Sequence, residues 1–511
     1  VIVCAGAVVL AGAIFFRFHR LHEMPPGLWW DEAQTGRVVR GILQGDFPPI
    51  YDLRINAGTV ASYANAAWCL LVGTSGPWGL RSYTACIGVL TVLASWWFFR
   101  QLFHPGWSLF GVALLASSRW LFTINRTAMA TIDETILLTV LVLTFMLKAI
   151  RHHAIWDYAI TGLLTGLAMH LHTGARVLPL IIGIDILAGL WRPPPIGRNR
   201  FALRAALLIL CAVIVFAPMG RYLVTHSEEY LKRSRETLLS TEYPGWVPIG
   251  PYVKNVQNYL KMYIYHGDWH PRHNHDRTPQ LPPPAAVFGA LGAFLAAGAW
   301  SRRRDMRLLV SGFILASLQG ILTVHLDTAN LNRVAVNIPI VFAWVVMGAQ
   351  FMGRGIVRCV GCRWGRPVVA GVSATVVGFC SWYAYDIYFN HYLPSESLAQ
   401  VYGFQPEITE MALRAQQMLD EEPELHVWAM YTRGDPFNYV FAGHPRLHDL
   451  SLIEAPGHRE PYPIALIVPA HQEEMLAFIQ QSFPDVSETA IPYSLNPTYT
   501  LLWLFRIDSI H

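Results

Sequence analysis

GLRSYTACIGVLTVLASWWFF, residues 79–99, holds one charge, Arg81, in twenty-one residues and stops at Arg100. At about 1.5 Å per residue such a helix crosses roughly 30 Å of hydrocarbon with its backbone polar groups satisfied internally. It predicts a membrane span. Comparable runs lie near 1–16, 107–123, 131–149, 155–171, 177–191, 203–219, 285–300, 307–324, 334–352 and 367–385, which makes eleven. The composition agrees: 53% hydrophobic, 14% charged and 18 Trp over 511 residues describe a chain dissolved in lipid rather than a string of soluble domains. The first run opens at Val1 without Met, so the chain is expected to begin inside a helix after a lost cytoplasmic leader. No small-residue cleavage site follows it, which argues against a signal peptide.

Lys and Arg in the short loops set the expected orientation. One side carries Arg100, Lys148, Arg151, Arg192, Arg198, Arg200, Arg204, Arg302, Arg303, Arg304, Arg307, Arg354, Arg358, Arg363 and Arg366, fifteen in all. The opposite short loops carry four: Arg119, Arg126, Arg176 and Arg333. The first side is therefore expected in the cytoplasm, with the long loops 17–78 and 220–284 and everything after about 386 outside. This topology accounts for the net charge of +4 and calls for no nucleic acid.

The seven cysteines imply no disulfide framework, and the Cys359/Cys362 pair lacks the second pair a zinc site needs. After about 405 the pattern changes. Helical stretches (Pro406 to Leu419, His471 to Gln481) alternate with short apolar runs (His426 to Tyr431, Pro463 to Val468, Tyr499 to Phe505), as in a small α/β domain. It carries no nucleophile elbow, P-loop or dinucleotide fingerprint, and is expected to act as a scaffold or an acceptor-facing cap.

The first outer loop contains GLWWDEAQTGRVVRGILQGDFPPIYD, residues 27–52. Asp31 follows a chain break at Pro25, Pro26 and Gly27, so a helix is expected to start there. Ala33, Val38, Val39 and Ile42 against Arg37 and Arg40 give it an amphipathic face suited to the membrane interface, with Trp29 and Trp30 as anchors. Acids in a first turn also favour the helix dipole without any further role.

Several features together resemble the GT-C membrane glycosyltransferases, in particular the group with the protein O-mannosyltransferases and the bacterial lipid A aminoarabinose transferase. They are Asp31-Glu32, then Pro48-Pro49-Ile50-Tyr51, then Ala57 to Gly73, then Arg81 opening a span. Further along, Arg126 and Asp133 lie in NRTAMATIDETILL, and GLLTGLAMHLHTGARVLPL ends with Arg176 and Pro179. HGDWHPRHN at 266–274 and NRVAVNIP at 332–339 are similar to segments of bacterial members. The likeness covers roughly residues 1–390. Two positions depart from it: Phe47 replaces a basic residue before the Pro-Pro turn, and His170 and His172 stand where tyrosines are usual.

The resemblance implies a polytopic α-helical membrane protein of GT-C type, with about eleven spans in residues 1–385 and a C-terminal α/β extracytoplasmic domain in 386–511. It implies an inverting transfer of a sugar from a polyprenyl-phosphate donor to an acceptor lipid, protein or glycan outside the cytoplasm, in a bacterial plasma membrane. Inversion needs a carboxylate to take the acceptor's proton and cations to hold the departing phosphate. Asp31 is the candidate base, Glu32 its neighbour that orients the acceptor or tunes the base, and Asp133 a second carboxylate for sugar or acceptor. Arg81, Arg126, Arg176, Arg272 and Arg333 are candidates for the phosphate, because a guanidinium binds oxyanions with a planar fork. Tyr51, His172, Asp268, His270 and Asn274 are candidates for substrate contacts. No cofactor is required. A divalent metal at His170/His172 would need further ligands such as His270 or Glu32.

A transporter or flippase is the competing class. Such proteins commonly show repeated halves and broken spans with acids at mid-membrane. Here no repeat is visible, Asp185 is the one clear mid-span acid, and the other acids gather at one interface.

Overall fold

The computed structural model describes residues 2–508 apart from 130, 244, 325–327, 396, 397, 399–403, 442, 451–462, 484 and 485. The described residues of the apolar runs named above lie mainly on helix. Among the described residues five helices are long and apolar enough to cross a membrane: Pro77–Leu102, Thr173–Trp191, Arg198–Thr225, Ala335–Val360 and Cys362–Tyr392. Two bent pairs raise this to seven at most: Pro105–Ala116 with Arg119–Asn125 at 54°, and Pro283–Ala299 with Arg304–Ile321 at 119°. The expected count of eleven is larger for physical reasons. The helix Ile132–His152 carries Asp133 and Glu134 in its first turn and Arg151 and His152 in its last, and Ile2–Phe18 and Ile155–Ala168 are short.

The core is built by close helix contacts that small residues permit. A side chain at Gly292 would meet the Trp344 carbonyl at 1.8 Å, and one at Gly348 would meet the Phe288 carbonyl at 2.0 Å. Pro283–Ala299 and Ile338–Val360 therefore pack backbone to backbone, the usual device where lipid gives no hydrophobic drive between helices. Asp185 is buried and bound by Arg304, at 2.9 Å to Oδ1 and 2.5 Å to Oδ2. The mid-span acid is thus neutralised within the bundle.

The first outer loop gives the helix Trp30–Leu43, a short hairpin of β1 (Tyr51–Asp52) and β2 (Ala57–Gly58), and the helix Val60–Val72. The expected interfacial placement of Trp30–Leu43 is corrected here. Ala33, Val38 and Val39 are buried, and Ala33 and Val39 cluster with Ala66, Cys69, Leu80 and Tyr439 rather than facing lipid.

From Pro406 a mixed sheet forms in the order β4-β3-β5-β7-β6, with β3 His426–Ala429, β4 Leu447–Asp449, β5 Ile464–Pro469, β6 Ser487–Tyr493 and β7 Asn496–Ile507. β3 runs parallel to β4 and β5, and β7 is antiparallel to β5 and β6. Every residue of β5 is buried, as its central place and unbroken apolar sequence require. The helix Pro406–Glu421 packs Met411, Ala412, Ala415 and Leu419 against this sheet.

Candidate active site

A cavity of about 470 Å³ opens between the first outer loop, the segment after Ile155–Ala168, and the loops around 233, 272 and 332. Its lining includes Asp31, Gln34, Arg54, His172, Arg233, Arg272, Asn330, Asn332 and Arg333. Four arginines and a single carboxylate thus share one space, among the described residues.

Asp31 sits in the first turn of Trp30–Leu43 with its side chain about half exposed (49%). Trp29 Nε1 donates to its Oδ2 at 3.2 Å, and Arg272 Nη1 lies 3.7 Å from the same oxygen. The Arg272 guanidinium also lies over the Trp29 ring, 4.7 Å from its centroid. Glu32 behaves differently. Its side chain is sealed from solvent and accepts from Arg81 Nε at 2.9 Å and Nη2 at 2.9 Å, from the Ala128 amide at 2.9 Å and from the Trp29 amide at 3.1 Å. The last of these closes a capping box at the helix start. The adjacent acids therefore divide the work: one fixes the helix, the other faces the cavity.

Several expected contacts are corrected by this geometry. Arg81 spends its remaining donors on the Pro25 and Gly27 carbonyls, so it faces inward and not toward a phosphate. Arg126 is fully buried and donates to the carbonyls of Phe16, Arg17, His19 and Met24, satisfying the end of the first helix. Asp133 is buried and held by Asn125 Nδ2 at 2.5 Å, beside Arg17, which binds Asn125 Oδ1. Tyr51 packs between Tyr222 and Tyr230 with its ring buried. Asn274 is buried, donating to the Asp268 and Thr278 carbonyls and accepting from Arg119. Arg176 stands at the edge, donating to Ser234 at 3.0 Å and lying over Tyr230. Phe47, the residue that departs from the family pattern, is 75% exposed and outside the cavity lining.

Behind Arg272 lies a buried chain of hydrogen bonds. Asp268 accepts from the Leu331 amide, the His270 amide and His273 Nδ1, each at 2.8 Å. Burial alone would raise its pKa, but His273 and the two amides outweigh burial and hold the carboxyl below its ordinary value. His273 Nε2 accepts from Arg272 Nε at 2.7 Å and lies 2.9 Å from Asn332 Nδ2. With that nitrogen acting as acceptor the proton sits on Nδ1, and burial together with Arg272 holds the imidazole neutral against the pull of Asp268. His270 packs edge-on to Trp29, and burial, His273 and Arg272 lower its pKa to about 3. His172 accepts the Gly174 amide through Nδ1, which leaves Nε2 as a donor in the cavity wall. Burial and the charges of Arg176, Arg333 and Arg233 lower its pKa to about 4.

Among the described residues no group of three or more His, Cys, Asp or Glu is arranged to hold a metal. The two extra ligands named from the sequence do not fit one: Glu32 is locked to Arg81, and His270 packs edge-on to Trp29 and tilted against Trp269. Arg54, Arg233 and the three asparagines of the cavity, Asn56, Asn330 and Asn332, were not among the residues singled out from sequence.

The fold is shared with solved structures of ArnT and of an archaeal oligosaccharyltransferase. The structure of ArnT from Cupriavidus metallidurans in the apo state is similar over 99% of this chain and 97% of its own, with a TM-score of 0.57 and 13% identity. The same protein bound to undecaprenyl phosphate matches at a TM-score of 0.52 and 14% identity, with the same coverage. The oligosaccharyltransferase AglB from Archaeoglobus fulgidus, in complex with an inhibitory peptide and a dolichol-phosphate, matches at a TM-score of 0.55 and 12% identity, over 86% of this chain and 63% of its own. In sequence, residues 57–220 match the family model of dolichyl-phosphate-mannose-protein mannosyltransferases. A search of curated proteins gives no match.

Proposed function

We propose that this chain is an inverting glycosyltransferase that moves a sugar from a polyprenyl-phosphate donor to an acceptor on the extracytoplasmic side of a bacterial plasma membrane. The observation that carries this is the gathering of Asp31 with Arg54, Arg233, Arg272 and Arg333 around one cavity, Arg54 being held there by Asp52. The lipid phosphates named with the similar ArnT and AglB structures support the donor class. The charge bias of fifteen to four across the short loops supports the orientation. We divide the chain into a transmembrane catalytic domain, residues 1–385, and an extracytoplasmic domain, residues 386–511. The acceptor is a lipid, a protein or a glycan.

In this mechanism Asp31 takes the proton from the acceptor hydroxyl as its oxygen attacks the anomeric carbon. The bond from that carbon to the phosphate oxygen breaks on the opposite face, and its electron pair leaves with the phosphate. The arginines stabilise the charge that grows there, a role suited to preorganised cations in a site of low dielectric. Neutral His172 donates from Nε2 to the sugar. Arg272 lies near both ends of the event, close to Asp31 and facing the cavity.

The test is release of free polyprenyl phosphate from a panel of polyprenyl-phosphate sugars by purified protein with acceptor-rich membrane extract, with Asp31→Asn alongside. Removing a general base lowers turnover by roughly 10²- to 10⁴-fold. The expected result is release by the wild type, loss in the variant, and retained donor binding. Movement of an intact donor across vesicles without cleavage would replace the transferase with a transporter.

A further inference from the structure

The helix Ile249–Ile264 does what the first loop helix was expected to do. Ile249, Val253, Val256, Leu260 and Ile264 are spaced by four, three, four and four residues and are 37–77% exposed. At about 100° per residue they fall within an arc of roughly 80°. The opposite flank, with Asn255, Tyr259 and Met262, is buried against the protein. Lys254 and Lys261 stand about 100° round from the apolar stripe. Trp246 just before the helix and Tyr265 just after it are exposed as well, at 87% and 66%.

Beside the lysines lies a second cavity of about 310 Å³, separate from the candidate active site. Lys254, Lys261, His266 and Arg277 line it together with Trp269, and no carboxylate does so among the described residues. Its wall at Ala329 adjoins Asn330, which lines the first cavity. The loop 266–277 thus turns Arg272 to one cavity and Arg277 to the other.

Exposed aliphatic residues in a stripe favour an apolar medium, and a pocket lined by cations, with no carboxylate among its described lining residues, favours an anion. Both conditions are met together by one occupant. We propose that this cavity and the stripe of Ile249–Ile264 form a binding site for the phosphate headgroup of an anionic membrane lipid, distinct from the donor at Asp31. The stripe enters the acyl region, and the lysines reach back to the headgroup level. With no carboxylate among the described lining residues to serve as a base, the site binds its lipid without turning it over. It does not depend on the transferase proposal.

Native mass spectrometry of the purified full-length protein, titrated with phosphatidylglycerol or phosphatidylcholine, tests the site. The wild type is expected to retain phosphatidylglycerol roughly tenfold better, and the triple variant K254Q/K261Q/R277Q to lose that preference. L260S/I264S is expected to weaken retention of both lipids, and inorganic phosphate at about 10 mM to displace neither. Equal retention of the two lipids by the wild type, or an undiminished preference in the triple variant, would overturn the proposal. Displacement by inorganic phosphate, or full retention in L260S/I264S, would overturn it in favour of a soluble anion. Should the triple variant fail to fold, the wild type decides alone: about 0.5 M NaCl abolishes the preference if the cations carry it, and leaves it intact if they do not.

Discussion

Glu407 is the second residue of the helix Pro406–Glu421, fully buried, with neither carboxylate oxygen bonded to any group beyond its own backbone. Burial pushes its pKa from 4.5 up to about 7. The folded protein therefore holds a proton there that the unfolded chain releases above 4.5. Stability is greatest below pH 4.5, falls as pH rises, and levels off above about 7. At about 1.4 kcal/mol for each pH unit crossed, the carboxylate costs the fold about 3 kcal/mol at pH 8. Glu407→Gln keeps the shape and removes the ionisation. Thermal unfolding midpoints of wild type and variant should lie close together at pH 4.5 and separate as pH rises to 8, with the variant the more stable. A gap that stays constant between pH 4.5 and 7 would refute a buried, unpaired carboxyl at this position.

Breaking the Glu32–Arg81 pair with Arg81→Met should destabilise the protein by about 3–5 kcal/mol, since it leaves a carboxylate buried without its partner; denaturant unfolding measures this. Arg272→Ala should weaken donor binding by roughly 10- to 100-fold, through the lost charge-assisted bonds to phosphate, as equilibrium binding of a polyprenyl-phosphate sugar would show. His273→Ala should lower turnover more than donor affinity, because Arg272 loses the acceptor that aligns its Nε. In the wild type, acid should have the same effect: a proton on His273 Nε2 faces Arg272 Nε. Since burial lowers the His273 pKa, the turnover profile should hold through pH 6.5 and fall below it, and His273→Ala should remove that limb.

Of the four residues singled out from the sequence that line the cavity, three stand beside chain breaks, and the fourth is Arg333. Asp31 follows Pro25-Pro26-Gly27, His172 caps the start of the short helix Thr173–Val177, and Arg272 follows Pro271. A polar side chain there has space in front of it. Arg81 and Arg126 illustrate what spacing cannot carry. The place of Arg126 on the arginine-poor side, and of Arg81 in the family resemblance, suggested an anionic ligand, but backbone carbonyls at loop and helix ends satisfy a guanidinium equally well, and these lie up to 110 residues away in sequence. Arg233 sits in a charged helix, Ser227–Glu236, whose composition resembles any solvated surface helix. Only the fold brings it to the cavity. The same holds for amphipathicity. Trp30–Leu43 and Ile249–Ile264 both carry an apolar face, and what covers the first is Tyr439 and its neighbours, more than 390 residues on.

That cover bears on Asp31, the proposed base. Asp435 accepts from Gln34 Nε2 at 3.1 Å and pairs with Arg37, Arg40 donates to the Tyr439 carbonyl at 2.9 Å, and the Tyr439 hydroxyl donates to Ser75. The Leu28 amide donates to Thr409 Oγ1 at 3.1 Å, just ahead of the tryptophans. The helix that carries Asp31 is therefore gripped along its exposed flank by the C-terminal region, while Glu32 and Arg81 pin its first turn from within. A carboxylate that takes a proton during transfer must hold its place to a fraction of an ångström, yet stay free of strong partners of its own. Neighbouring acids solve both demands at once: Glu32 absorbs the bonds that fix the turn, and Asp31, held by the same turn, keeps only the Trp29 indole and a distant arginine.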